Sequence, residues 1–248
     1  MQAQVSTAHR SAQRTAQAGE RISATLAMLQ QQLAPSRRVV HAGDVIVHAG
    51  DRLDSLYIIN SGLVKTVNLA SDGREQVVGL HFKGDWLGLD AIAESQHGCD
   101  AIAMDVGEVW TIPYMALLQA CTAQPTLMAT LHAAMSREIA RDRDSMLALC
   151  TLPADARVAD FLRFWADSLA DRGLRTDQIT LRMTRAEIGN YLGMTLETVS
   201  RAFSRLARDK VIGFAEKDRR DVQIPDVAAL SEFVRRSVAA SAPAALLQ

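Results

Sequence analysis

The sequence predicts an α+β protein with three parts: an N-terminal antiparallel β jelly roll, one long helix, and a C-terminal winged helix-turn-helix domain. Residues 37 to 112 are short β-rich runs punctuated by Gly and Asp turns roughly every ten residues, the pattern of a small antiparallel barrel or jelly roll. From 124 to 149, residues that are apolar except for one Asp recur at steps of three or four. From 182 to 211, RMTRAEIGNYLGMTLETVSRAFSRLARDKV carries the start and stop signals of two short helices joined by a tight turn.

Composition narrows the classes. With 48% hydrophobic and 22% charged residues, the 248-residue chain has globular rather than disordered composition. No apolar run is long enough to cross a bilayer, and the polar N-terminus MQAQVSTAHRSAQRTAQ lacks the apolar core of a signal peptide. The expectation is a cytoplasmic protein with no membrane partner. The net charge of −1 argues against a general polyanion binder, yet residues 182 to 220 hold nine Lys/Arg against five Asp/Glu, which suits contacts to phosphates. Cys99, Cys121 and Cys150 lie far apart, without zinc or iron–sulfur spacing, and read as reduced thiols. No P-loop, nucleophile elbow or metal-binding helix motif suggests an enzyme.

In order, residues 1–19 are rich in Gln, Ala, Ser and Thr without apolar periodicity and predict a flexible tail. The barrel domain spans 20–123. It is entered by a helix with Ile22, Leu26, Leu29 and Leu33 on one face, and SDGRE at 71 to 75 reads as a hairpin tip. Residues 124–152 form the long helix and a hinge. Met128, Leu131, Met135, Ile139, Asp142, Met146 and Leu149 trace the seam of a two-stranded coiled coil, hence a homodimer; the alternative is a helix packed on its own barrel. Two copies of Asp142 facing across a symmetry axis would repel and weaken association.

The C-terminal domain spans 153–238. It opens after Pro153 with an amphipathic helix burying Val158, Phe161, Leu162, Trp165 and Leu169. It closes with a β-hairpin wing bearing Lys217, Arg219 and Arg220 and a short helix from Val227; residues 239–248 read as a second flexible tail. Between them, Thr184 and Glu187 have capping-box spacing, Gly193 marks a stop, and Thr195 caps the second helix. On that helix Leu196, Val199, Phe203 and Leu206 form the packing face. Glu197, Ser200, Arg201, Ser204 and Arg208 form the opposite one. That polar face suits base edges, because Arg donates twice to guanine, a carboxylate accepts from the cytosine amino group, and Ser serves either role.

The stretch TRAEIGNYLGMTLETVSRAFSRL resembles the signature of the Crp/Fnr family of transcription regulators, with E-x-x-S-R at Glu197, Ser200 and Arg201 similar to its Fnr branch. The likeness continues upstream through GDVIVHAGDRLDSLYIINSGLVK and GDWLGLDAIA, over roughly residues 25 to 225. It implies a homodimeric regulator, chiefly an activator, with a cyclic-nucleotide-binding-like sensor barrel. Its target would be a TTGAT-N4-ATCAA-like inverted repeat in double-stranded DNA, and exposed barrel loops would meet RNA polymerase. In that frame Arg201 reads guanine, Glu197 the cytosine amino group and Ser200 a neighbouring thymine or its phosphate, while Thr184, Arg185, Thr195 and Arg205 hold the DNA backbone.

The resemblance also says what to look for in the barrel. Members that bind cyclic AMP carry a Glu where this chain has Leu89 and an Arg-Ser pair where it has QHGCDAIA, so no cyclic AMP is expected. Fnr-type iron–sulfur sensors use tail cysteines and one barrel cysteine; here the tail has none and the barrel position is Trp110, so no conventional cluster is expected. Haem sensing stays open as an alternative, with His9, His41, His48, His81, His97 and His132 as the available histidines and no ligand assigned among them.

Overall fold

The computed structural model describes residues 2–69, 73–215 and 218–241, in two units, Met1–Arg141 and Asp142–Gln248. The first begins with α1 (Gln2–Leu33), so helix replaces the tail expected over 1–19. Ala and Gln, which dominate that stretch, are good helix formers and extend a helix without an apolar stripe. Leu26 and Leu29 are buried, with Ile22 and Leu33 packed beside them.

Eight strands follow: β1 (Ser36–Val40), β2 (Val45–Val47), β3 (Ser55–Ser61), β4 (Val64–Leu69), β5 (Glu75–His81), β6 (Trp86–Leu87), then after the short α2 (Ala91–Glu94), β7 (Asp100–Ala103) and β8 (Gly107–Pro113). They form two four-stranded antiparallel sheets, ordered β1-β8-β3-β6 and β2-β7-β4-β5. Alternation aims one side of each strand inward. Val40, Ile59, Leu87 and Val109 from the first sheet thereby meet Ile46, Val47, Val64, Ala101 and Ala103 from the second. The expected hairpin tip at Ser71 lies outside the described residues.

A helix the sequence reading lacked, α3 (Tyr114–Ala123), leads into α4 (Pro125–Thr151). Here the seam divides. Leu131 is buried in its own unit with Leu127 and Ala134, against Leu56, Ile58 and Ile112 of the first sheet, and Met128 and Met135 pack on the same cluster. All three positions meet the barrel core, the other packing that the spacing allowed. Heptad spacing specifies that a helix face is covered, not by what. Farther along, Ile139 is 50% exposed, Met146 62% and Leu149 40%, and Asp142 is exposed with them.

The second unit continues from Pro153, which caps α5 (Ala154–Ala170). Then come β9 (Gln178–Thr180), α6 (Arg185–Leu192), α7 (Leu196–Arg208), β10 (Gly213–Ala215), β11 (Asp218–Gln223) and α8 (Val227–Ser241). The wing is a three-stranded sheet, β10-β11-β9, rather than a lone hairpin. Lys217 lies outside the described residues. Val158, Phe161, Leu162 and Trp165 are buried, as are Ile188, Phe203 and Leu206, and Phe161 meets Trp165 edge-on with centroids 5.5 Å apart. No helix among the described residues is long and apolar enough to cross a membrane.

Candidate nucleic-acid interface

Helix α6 starts where its side chains satisfy its own free N–H groups. The Thr184 hydroxyl accepts from the Glu187 N–H at 3.1 Å, and the Glu187 carboxylate takes the Thr184 N–H at 2.8 Å. The pair forms a full capping box. Gly193 ends the helix at φ 62°, a left-handed backbone that a side chain disfavours. Inside α6, a Cβ on Gly189 would lie 2.6 Å from the Met194 carbonyl oxygen, so only glycine lets the turn fold this closely over the helix. The second helix starts at Thr195, whose hydroxyl accepts from the Thr198 N–H at 3.2 Å.

A residue that sequence reasoning missed ties this turn to the chain before it. From α5, Arg157 donates to the Leu192 carbonyl at 2.8 Å, the Gly193 carbonyl at 3.5 Å and, from Nε, the Leu152 carbonyl at 3.1 Å. It thus satisfies carbonyls left open at the end of α6 together with one at the hinge. Its partners stand 35, 36 and 5 residues away, so no local pattern announces it.

Helix α7 buries Val199, Ala202, Phe203 and Leu206. Glu197 and Arg201 are exposed on its other side and Ser200 is half-buried. Its own backbone N–H, the Thr195 hydroxyl and the Arg201 cation hold the Glu197 carboxyl below its ordinary pKa. At neutral pH it is therefore an ionised acceptor. The Ser204 hydroxyl donates back to the Ser200 carbonyl at 2.9 Å. Leu196, assigned to the packing face, is instead 46% exposed.

The residues expected at the DNA backbone are placed less uniformly. The hydroxyls of Thr184 and Thr195 are engaged as caps but both residues are exposed. The Arg185 guanidinium lies 3.3 Å above the centre of the Phe203 ring, turned into the domain. Arg205 is exposed and paired with Asp155 of α5 at 2.7 Å.

In the barrel, the elements that would take a cyclic phosphate are committed to the chain itself. Leu89 is buried in an apolar cluster. The Gly98 N–H donates to Asp90 at 2.8 Å, the Ala49 N–H to Asp100 at 2.6 Å, and the segment Gln96–Ala103 contains no Lys or Arg. Two carboxylates and no cation are a poor match to an anion. Trp110 is buried, its indole N–H on Glu108 at 2.7 Å.

The histidines divide by burial. His41, His48 and His132 are exposed, His81 and His97 are buried, and the side chain of His9 is outside what is described. Burial drives the His81 pKa down to about 4, so it is neutral, with Nε2 3.2 Å from the Thr66 hydroxyl. Nearby, Arg141 of α4 grips Asp85 at 3.2 Å. Among the described residues no group of three or more His, Cys, Asp or Glu could hold a metal ion. Cys121 is buried, Cys99 half-buried and Cys150 exposed.

Comparison with known proteins gives each half a counterpart. Residues 37–124 match the model of the cyclic nucleotide-binding domain, and residues 156–233 that of the Crp-like helix-turn-helix domain. The chain is 36% identical over 181 residues to the fumarate and nitrate reduction regulatory protein of Yersinia pestis, covering 73% of this chain and 72% of that one. It is 35% identical over 194 residues to the transcriptional regulatory protein btr of Bordetella pertussis, covering 78% and 80%. Among solved structures, FixK2 from Bradyrhizobium japonicum aligns over 80% of this chain and 96% of its own, with TM-score 0.71 and 29% identity.

Proposed function

From the premise that the chain belongs to the Crp/Fnr family of DNA-binding transcription regulators, we propose that it acts as a homodimer on a TTGAT-N4-ATCAA-like inverted repeat. One observation carries this reading: Glu197, Ser200 and Arg201 share the outward side of α7, which buries Val199, Ala202, Phe203 and Leu206 against its own domain. Placed in a major groove, that side presents a bidentate donor for guanine, an ionised acceptor for the cytosine amino group, and a hydroxyl. Two copies reach successive grooves if the chain pairs two-fold, as an inverted repeat requires. The exposed Ile139, Met146 and Leu149 support the pairing, with Asp142 weakening it. The backbone contacts come from Thr184, Thr195 and, after release from Asp155, Arg205. Arg185 is a packing residue.

The same reading makes the protein an activator, an inference resting on the name of a relative, the transcriptional activator protein Anr of Pseudomonas protegens; in that role it would meet RNA polymerase in the cytoplasm. It takes neither cyclic AMP nor a conventional iron–sulfur cluster. Cyclic AMP finds two carboxylates where its phosphate needs a cation, and the chain's three cysteines cannot supply four thiolates.

The test is fluorescence anisotropy of a labelled TTGAT-N4-ATCAA duplex and a scrambled one, with the mass of the complex measured by sedimentation. Two chains per duplex and a preference of at least 10³-fold, within the range of specific regulators, are expected. Equal affinity for both duplexes would sink the proposal. An affinity unchanged by cyclic AMP is expected; a rise on adding it would overturn the barrel reading alone.

A further inference from the structure

Two arginines of α4, two residues apart, are used differently. Arg141 is paired with Asp85 of its own barrel. Arg143 is exposed and has no ion pair among the described residues. Its own helix cannot supply one, because side chains meet at spacings of three and four, and those positions hold Ile139, Ala140, Met146 and Leu147. Asp142 and Asp144 are its immediate neighbours in sequence, each about 100° round the helix from it and out of reach. A cation set among apolar residues on an exposed stretch of helix calls for an acid from elsewhere.

The acid is on the same stretch. Asp142 shares its exposed row with Ile139, Met146 and Leu149. In a parallel two-stranded pair, a residue of that row enters a hole of four residues on the facing helix, and the residue following its own counterpart is one of the four. Asp142 of one copy then meets Arg143 of the partner subunit, and the two-fold supplies the reverse contact. We propose that this stretch of α4 is shaped for a second copy of the chain, with Arg143 as the counter-ion of Asp142 across the interface. The inference rests on the homodimer reading above and deepens it. Two carboxylates that repel one another at the axis are each offset by a flanking cation. The charged layer thereby selects a parallel, in-register copy over any other apolar helix, since a shifted or reversed partner leaves the carboxylates without their cations.

Self-association of the full-length protein is measured by sedimentation, alone and on the labelled inverted repeat, for the unmodified chain, Arg143→Ala, Asp142→Ala and the double variant. Arg143→Ala should weaken pairing about fivefold, as two partly exposed ion pairs would, and the loss should shrink as salt rises. In the Asp142→Ala background the same change should alter pairing less than about twofold, because the two residues act as one unit. Equal losses in both backgrounds, or no loss in the first, would overturn the counter-ion while the dimer stands. A chain that stays monomeric alone and binds the repeat as single copies overturns both.

Discussion

Helix α7 and the corner between β5 and β6 both gather charged side chains, and they use them in opposite ways. At the corner, Asp85 accepts from the Phe82 N–H at 3.0 Å and from Arg141 at 3.2 and 3.4 Å, with acid and base both largely removed from solvent. On α7, Glu197 and Arg201 are both exposed, the Glu197 carboxylate held by the helix terminus and the Arg201 cation. Charges turned inward fix where α4 crosses the barrel. Charges left outward keep their hydrogen-bonding capacity for a partner. The difference separates a group that holds the fold from one left available to a ligand, although both are Arg/acid pairs in the sequence.

The strongest test of the contrast lies on the outward side. Arg201→Ala should cost about 1–3 kcal/mol per half-site in binding TTGAT-N4-ATCAA, leave affinity for scrambled DNA nearly unchanged, and leave the melting temperature where it was. A loss shared equally by both duplexes would make Arg201 a phosphate contact instead. On the inward side the readouts exchange. Arg141→Ala should lower stability by about 2 kcal/mol in urea melts, the cost of removing a charged hydrogen-bond partner from Asp85. Base selectivity should persist in the protein that remains folded. Unaltered melts would show that the corner is held by something else.

His81 refines the inward case through pH. Its folded pKa of about 4 lies below the ordinary 6.5, so the unfolded chain binds the proton more readily. Its contribution is fully present above pH 6.5 and is lost as pH falls toward 4, at no more than about 1.4 kcal/mol per pH unit. The stability difference between the unmodified protein and His81→Gln should shift across that window, and parallel curves would refute the burial argument. The smallest expected effect falls between the two regimes, at the exposed pair of Arg205 with Asp155. Asp155→Asn should tighten binding to any duplex by less than about 1 kcal/mol and steepen the salt dependence by about one ion per subunit. An unchanged salt slope would mean that Arg205 does not touch phosphate.

How much could be read in advance follows from distance along the chain. Thr184 and Glu187, Thr195 and Gly193 act within four residues of their partners, and the capping box and the turn were legible for that reason. The alternation that predicts the jelly roll is equally local. Arg157, the Arg205–Asp155 pair 50 residues apart and the stacking of Arg185 on Phe203 join segments that only the fold brings together. Strand β9 was missed because three residues, Gln178–Thr180, are too few to show a period. Met128, Leu131 and Met135 show the remaining limit: one spacing describes both a coiled-coil seam and a helix on its own barrel.

Arg157 bears on the architecture of the DNA target. One guanidinium closes the carbonyls at the tip of α6 and the carbonyl at the exit of α4, so that exit and the reading head share a stiff joint. In the proposed dimer such a joint would leave each reader little freedom to swivel. Each base pair added between half-sites turns the second one by about 35° around the duplex. The spacer length of an operator is then as much a part of its specificity as the bases on either side of it.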